Sequence, residues 1–343
     1  MPALSFNEAL KSSAALLKNL ATIQPRAARL TIGLDVGSTS VKAVALGARR
    51  GKGMRPIVGH SMAPLGAGQE GELAEAVKSA LAALKVPVSA VTMSVSGPWV
   101  LMRIIEIPKM RPSELRQALP FEAQRYLPFN IQDVVLDGAV LGPSDKNKVW
   151  VVIIACKKEL LGRRVDGVKR AGIGVRVIDA DALALANTFL EHEEGRAEGT
   201  RALVNIGAQL ANLAIIRGGV PYLVRDIPWG GDKLIRQVAE QTGQEAGAVS
   251  QELAQATAGP ETLNALKLAC EPLVTELQLS FDYFENRFNQ PPDEMLVTGG
   301  LSLSAPFLEA LKGQVAQVIT PWAPANDLSR QFTIAYGLAL RDQ

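Results

Sequence analysis

The sequence predicts an α/β protein made of two related halves, and three stretches predict it. The first is Gly33-Leu34-Asp35-Val36-Gly37-Ser38-Thr39-Ser40-Val41-Lys42, set between apolar runs at 30–36 and 41–46 that read as strands. The second is Leu203-Val204-Asn205-Ile206-Gly207-Ala208-Gln209-Leu210-Ala211-Asn212-Leu213, again strand, short glycine turn, strand. The third is Met295-Leu296-Val297-Thr298-Gly299-Gly300, a strand that runs into a Gly-Gly turn. Ser302 or Ser304 then stands ready to cap a helix starting near Ala305.

The first tip suits a triphosphate. Gly37 can take φ > 0 and has no Cβ to block an approaching oxygen. Amides and hydroxyls of Ser38 and Thr39 can donate to phosphate oxygens. Asp35 ends its strand as the residue type that holds Mg²⁺, often through water. Lys42 lies on the same side of the returning strand as Ser40 and reaches the phosphates as a point charge. A Walker A loop is excluded, since that motif passes from strand through glycine loop to helix. Taken alone, the stretch also fits an ordinary hairpin with an exposed turn. The second hairpin in the other half of the chain turns the balance toward phosphate.

The elements follow in order. Residues 1–29 carry Phe6, Ala9, Leu10, Leu16, Leu17 and Leu20 near helical spacing, which predicts a helical arm. Its alternative is a membrane-surface helix, for which Lys11 and Lys18 are thin support. After the first hairpin come strands near 56–63, 90–95 and 100–107, with a helix over about 70–84. A helix over 111–126 follows, in which Pro120 should produce a kink or a split. Strands near 133–142 and 148–155, a helix near 157–171, a strand over 175–179 and a helix over 182–191 complete the first half. Residues 192–200 read as a crossover. The second half opens with strands near 201–206, 210–217 and 220–227, the last two joined through Gly218-Gly219. Helices near 230–242 and 245–256 come next. Leu263, Leu266, Cys270, Leu273, Leu277, Phe281, Phe284 and Phe288 are spaced by threes and fours and give a long core-facing helix. Pro272 should kink or restart it. A short helix over 332–340 ends the chain.

Composition narrows the function classes. The chain has 343 residues, enough for two cores, with 48% hydrophobic and 20% charged residues. With 36 basic and 34 acidic side chains the net charge is +2, so no field for nucleic acid follows. No window offers the ~20 apolar residues of a membrane span, and no signal peptide is read. Cys156 and Cys270 read as buried free thiols, and two histidines without a cysteine or carboxylate cluster give no zinc site.

The paired hairpins with the late strand, Gly-Gly turn and helix resemble the actin-like ATPase superfamily, which clamps ATP between two related domains. A second signature is narrower. It comprises Ile105-Glu106-Ile107-Pro108-Lys109-Met110, Glu114-Leu115, Phe121-Glu122-Ala123-Gln124-Arg125-Tyr126-Leu127-Pro128-Phe129 and Val134-Val135-Leu136-Asp137. These stretches are similar to the PilM family of type IV pilus assembly proteins, and the similarity spans most of 30–341. As residues they read as a strand stopped by Pro108, a helix and a Pro-Phe corner, where Tyr126 and Phe129 have packing roles.

The resemblance implies an actin-like ATPase fold with an FtsA-like inserted small domain. Residues 30–195 would form the first domain, with the insertion at about 51–155. Residues 196–330 would form the second, with an upper subdomain at about 226–294, and 331–343 a helix returning to the first. It implies ATP and Mg²⁺ held by Asp35, Gly37, Ser38, Thr39, Lys42, Asn205, Gly207, Ala208, Gln209, Glu252, Gly299 and Gly300, with Asp35 on the metal. It implies a cytoplasmic protein peripheral to the inner membrane. The partner would be the short N-terminal cytoplasmic tail of PilN, held in a groove beside the insertion, and through it other inner-membrane pilus components and motor ATPases.

Three departures bear on chemistry. Asn205 stands where the family has an acidic residue, and an amide cannot serve as a carboxylate base. Gln209 and Leu210 replace small or hydroxylated turn residues. Glu252 and Gln255 stand where a helix often supplies Glu and Lys near the ribose. Slow or absent hydrolysis is therefore expected. A small-molecule kinase on the same fold would want a carboxylate base, for which Asp179 and Asp181 are candidates, although capping of the helix over 182–191 is the preferred role for either. An FtsA-like division protein would carry a basic amphipathic helix after the fold, and none is read after Arg341-Asp342-Gln343.

Overall fold

The structure, a computed structural model, describes residues 30–49, 53–66, 70–192 and 198–341. The expected arm over residues 1–29 lies outside them.

Two five-stranded sheets repeat one plan. In the first, β1 (Thr31–Val36), β2 (Ser40–Leu46) and β3 (Ile57–Pro64) form an antiparallel meander, while β4 (Ala90–Val95) pairs parallel with β1 and β8 (Gly174–Ala180) with β4. In the second, β9 (Thr200–Ile206), β10 (Ala211–Arg217) and β11 (Val220–Ile227) form the meander. There β12 (Glu294–Thr298) runs parallel to β9 and β13 (Val318–Pro321) parallel to β12. The spatial orders, β3-β2-β1-β4-β8 and β11-β10-β9-β12-β13, are the same. Each central strand, β1 or β9, has apolar residues toward both faces, as a strand covered on both sides requires. The hairpins β1-β2 and β9-β10 thus occupy equivalent places in the two halves. β13 is the strand the sequence pattern did not reveal; its four residues are too few to show alternation.

A third sheet, ordered β5-β7-β6, is built from β5 (Val100–Pro108), β6 (Val134–Asp145) and β7 (Lys148–Lys157). It corrects the expected span of the insertion. Within 51–155, β3, the helix α1 (Glu70–Ala83) and β4 belong to the first sheet and its cover, because β3 pairs with β2 and β4 with β1. The separate sheet starts only at β5. One face of it is covered by α2 (Pro112–Gln124), which buries Leu115, Leu119 and Ala123. α2 continues through Pro120, and the 29-residue α7 (Pro260–Phe288) continues through Pro272, so neither proline splits its helix. Burial of Leu266, Leu273, Leu277, Phe281 and Phe284 along α7 outweighs the ~3 kcal/mol that an internal proline costs.

The remaining helices are α3 (Lys158–Arg170), α4 (Asp181–Glu191), α5 (Gly231–Thr242), α6 (Ala246–Gln255), α8 (Ala305–Leu311) and α9 (Thr333–Ala339). Ser304 caps α8 by accepting from the Phe307 amide. Leu185 and Phe189 of α4, Leu203 and Ala214 of the second sheet, and Ile334 and Leu338 of α9 share one apolar cluster, which joins the halves. α9 packs against β1 as well, where the Thr31 hydroxyl donates to the Ala339 carbonyl. Two glycines allow this closeness. A Cβ on Gly337 would overlap the Ala184 carbonyl, and one on Gly33 would overlap the Ala335 carbonyl.

Gly337→Ala should therefore lower stability by about 2–4 kcal/mol in chemical denaturation, because α9 has to move off α4. Gly247→Ala, in α6 with open space around it, should raise stability by about 0.5–1 kcal/mol. Equal effects of the two substitutions would show that the α4–α9 contact is not tight.

Candidate functional site

Both hairpins close with the same bond. The Gly37 amide donates to the Ser40 carbonyl at 3.0 Å, and the Gly207 amide to the Leu210 carbonyl at 2.9 Å. Register then places Asp35 opposite Lys42 on the first hairpin and Asn205 opposite Asn212 on the second. The tips face one cleft lined by Asp35, Gly37, Ser38, Thr39, Lys42, Asn205, Gly207, Ala208, Gln209, Gly299 and Gly300. Eleven of the twelve residues expected from sequence are thus together. Glu252 is not among them: in α6 its carboxylate accepts from the Gln244 amide at 3.0 Å and the Thr262 hydroxyl at 2.8 Å.

Glycine serves differently at each position. Gly37 has no positive φ; a Cβ there would lie 3.0 Å from the Ser40 carbonyl oxygen and 3.7 Å from Lys42 Nζ, so its value is a close approach. Gly299 has φ +90°, and a Cβ on it would come 2.7 Å from Asn205 Oδ1, so only glycine fits. The turn that follows is fastened from outside the cleft. Gly299 donates to the Arg330 carbonyl at 3.2 Å, and the Arg330 guanidinium donates to the Ser302 carbonyl at 2.8 Å.

Lys42 Nζ stands 3.4 Å from Asp35 Oδ2, well beyond the ~2.8 Å of a tight charge-assisted bond. That spacing leaves both groups able to turn to a phosphate and a hydrated cation. Among the described residues no three His, Cys, Asp or Glu side chains form a metal cluster. Mg²⁺ keeps several waters and takes one or two carboxylates plus phosphates, so Asp35 fits a cation that arrives with a nucleotide.

Sequence reasoning missed three contributors to the cleft, Arg164, Asn212 and Gln331, and preferred a capping role for a fourth, Asp181, which it had named as a candidate carboxylate. Asp181 does not cap α4: the N-cap is Ala180, without a side-chain bond. Instead Asp181 lines the cleft and accepts from the Ser94 hydroxyl. Burial, then the charges of Asp35 and Asp226, push its carboxyl up to about 7. Asp179, two residues earlier on β8, caps nothing either; it faces away, 3.1 Å from the Arg341 guanidinium. Arg164 of α3 reaches the first hairpin and donates to the Val36 carbonyl, bringing a second cation to the cleft. Asn212 was recoverable, since it stands to Asn205 as Lys42 stands to Asp35. Gln331 and Arg164 come from elements that only tertiary packing places here.

Two related sheets of one strand order, with glycine-closed hairpins facing across a shared cleft, define an actin-like ATPase fold. The family model described as type IV pilus assembly protein PilM matches residues 33–343, and the chain belongs to that family. Membership gives it a role in type IV pilus assembly. Among solved structures, one described as a PilM-PilN type IV pilus biogenesis complex aligns with TM-score 0.78 at 23% identity, over 90% of this chain and 97% of that one. The ethanolamine utilization protein EutJ from Carboxydothermus hydrogenoformans aligns with TM-score 0.54 at 15% identity, over 98% and 99%. A Bacteroides thetaiotaomicron protein of unknown function with an actin-like ATPase fold aligns with TM-score 0.51 at 13% identity, over 92% and 98%. These likenesses establish the fold.

A carboxyl raised to about 7 stabilises the native state when protonated and loses that contribution as pH rises from about 4 to about 7. Asp181→Asn should therefore match the parent near pH 4 and exceed it by about 1–2 kcal/mol at pH 8, without nucleotide. A difference independent of pH in urea denaturation would contradict the electrostatic assignment.

Proposed function

We propose that the chain is an ATP-binding scaffold of the inner-membrane pilus assembly complex. The observation that carries this reading is the pair of hairpins with equivalent glycine closures facing across one cleft. Amides at 37–39 and 207–209 would hold the phosphates from both sides, with Lys42 as counter-charge. Mg²⁺, when bound with nucleotide, supplies charge neutralisation between phosphates and Asp35. Turnover is slow or absent, because Asn205 brings an amide where hydrolysis wants a carboxylate.

The partner is the N-terminal tail of a PilN-like membrane protein. The relative with TM-score 0.78 is described as a PilM-PilN complex, which supports a PilN-like partner. The chain itself supports it with a groove of about 690 Å³ beside the third sheet. Two edge strands border the groove, β6 of the third sheet and β8 of the first. Unpaired backbone on either edge suits an extended peptide that adds as a strand. Val140, Leu141, Ile154 and Leu183 offer apolar pockets, and the buried Asp179 carboxylate beside Arg341 offers a polar anchor. No described helix is long and apolar enough to cross a membrane. In this reading the tail holds the protein against the inner membrane on its cytoplasmic side.

Calorimetry with ATP and Mg²⁺ should give saturable binding, weakened by about 1–3 kcal/mol in Lys42→Ala. Absence of heat with folded protein, or brisk turnover that survives Asp35→Ala, would remove the nucleotide assignment.

A synthetic peptide of the N-terminal tail of a PilN-like protein should bind, and Val140→Asp should weaken it by about tenfold or more, since a carboxylate enters the apolar wall. Deletion of residues 1–28 should leave peptide binding intact, and the protein alone should not float with liposomes. Flotation without peptide that is lost on this deletion would make the N-terminal segment the anchor instead.

A further inference from the structure

A chain of hydrogen bonds, buried at Asn205 and Asn212 and half-buried at Asp226, runs from the cleft to the root of the third sheet. Asn205 Nδ2 donates to Asn212 Oδ1 at 2.8 Å, and Asn212 Nδ2 donates to Asp226 Oδ1 at 2.8 Å. Asp226 Oδ2 accepts from the Gly97 backbone amide at 2.7 Å. Gly97, with φ +98°, lies in the turn between β4 and β5, where the chain leaves the first sheet for the third. Asn205 and Asn212 are buried, while Asp226 sits behind them and does not line the cleft.

The polarity of this chain is fixed from one end. A backbone N–H can only donate, and an ionised carboxylate can only accept. Burial raises the Asp226 carboxyl, and the bonds from Gly97 and Asn212 oppose that shift by favouring the ionised form; with Asp226 accepting from both sides, the Asn212 amide has its nitrogen toward Asp226 and its oxygen toward Asn205. Asn205 must then donate inward, and its remaining oxygen is left toward Gly299, on the cleft side. An oxygen cannot bond a phosphate oxygen. It accepts from water, including water carried by a divalent cation.

We infer that Asp226 is a positioning residue that sets the amide polarity of Asn205, so that the second hairpin presents a carbonyl oxygen to a hydrated divalent cation rather than an N–H to phosphate. The inference rests on the nucleotide reading of the cleft. It gives Asn205 a defined role in place of the missing carboxylate: one acceptor oxygen, held in orientation by a carboxylate two residues removed along the relay. Asp226→Asn frees the polarity. The new amide can accept from Gly97 and donate to Asn212, both asparagines then rotate, and Asn205 turns its Nδ2 into the cleft.

The test is calorimetry of a non-hydrolysable ATP analogue, with Mg²⁺ and with chelator, on the full chain and on Asp226→Asn. The parent should bind at least about tenfold more tightly with Mg²⁺. The variant should bind about three- to tenfold more tightly than the parent in chelator, so that its Mg²⁺ enhancement shrinks. A folded variant with the parent's Mg²⁺ enhancement would overturn the inference while leaving the nucleotide site in place. Absence of binding by the folded parent under both conditions would remove the site and the inference together. Should the variant fold poorly, side-chain amide NMR on asparagine-labelled parent protein decides. The Asn205 amide protons should stay bonded inward when chelated nucleotide is added, and a through-bond coupling between Asn205 Nδ2 and phosphorus would overturn the assignment.

Discussion

The contact of α9 with α4 and β1 is the constraint on which the rest depends. β1 and α4 belong to the first half, and α9 follows the whole second half, so this contact closes the chain on itself. It can form only where Gly337 meets the Ala184 carbonyl and Gly33 meets the Ala335 carbonyl. The turn leading into α9 also fastens the second half, since the Arg330 carbonyl accepts from Gly299 and from the Thr298 hydroxyl. One short C-terminal stretch therefore fixes the distance between Gly37 and Gly299 across the cleft. The phosphate-facing amides are oriented by backbone closure within each hairpin, and the separation of the hairpins is set by this packing.

The cleft carries opposed charges at close quarters. Asp35 brings negative charge, Asp181 a second carboxyl raised to about 7, and Lys42 and Arg164 positive charge. Without a ligand the carboxylates bear on each other, which is why burial and Asp35 together hold the Asp181 carboxyl near neutrality. A cation-bound polyphosphate satisfies both signs at once, with phosphates on the amides and lysine and the cation on the carboxylate side. The second half contributes differently from the first. Where Asp35 and Lys42 are charged, Asn205 and Asn212 are neutral, and the charge behind them sits at Asp226, whose other oxygen holds Gly97. The same carboxylate thus borders the cleft relay and the entry to the third sheet.

Much of this was legible in the sequence for definite reasons. The hairpins were visible because glycine and polar residues interrupt long apolar runs, and equal spacing in both halves revealed the repeat. α7 was visible because its apolar residues keep intervals of three and four over 29 residues. Neither proline splits its helix, because propensity is local and the burial on either side of Pro120 and Pro272 outweighs it. The insertion implied by the resemblance, about 51–155, takes in β3 and β4, whose place in the first sheet is set by long-range pairing that alternation within them does not encode. For Asp181 the cap was preferred over the cleft carboxylate for the same kind of reason. An acid at a helix start has a local use as a cap, and only the approach of Asp35 from β1 and Asp226 from β11 gives it another. Arg164 left no mark at all, being one arginine among several on an exposed helix.

The most direct test of the central claim is a crystal structure of the protein with Mg²⁺ and a non-hydrolysable ATP analogue. The account predicts phosphates bracketed by the amides of 37–39 on one side and 207–209 on the other, with Lys42 on the phosphates and the cation on the Asp35 side. Phosphates held elsewhere, for instance in the cavity lined by Trp99, Arg163 and Arg170, with the two hairpins empty, would contradict it.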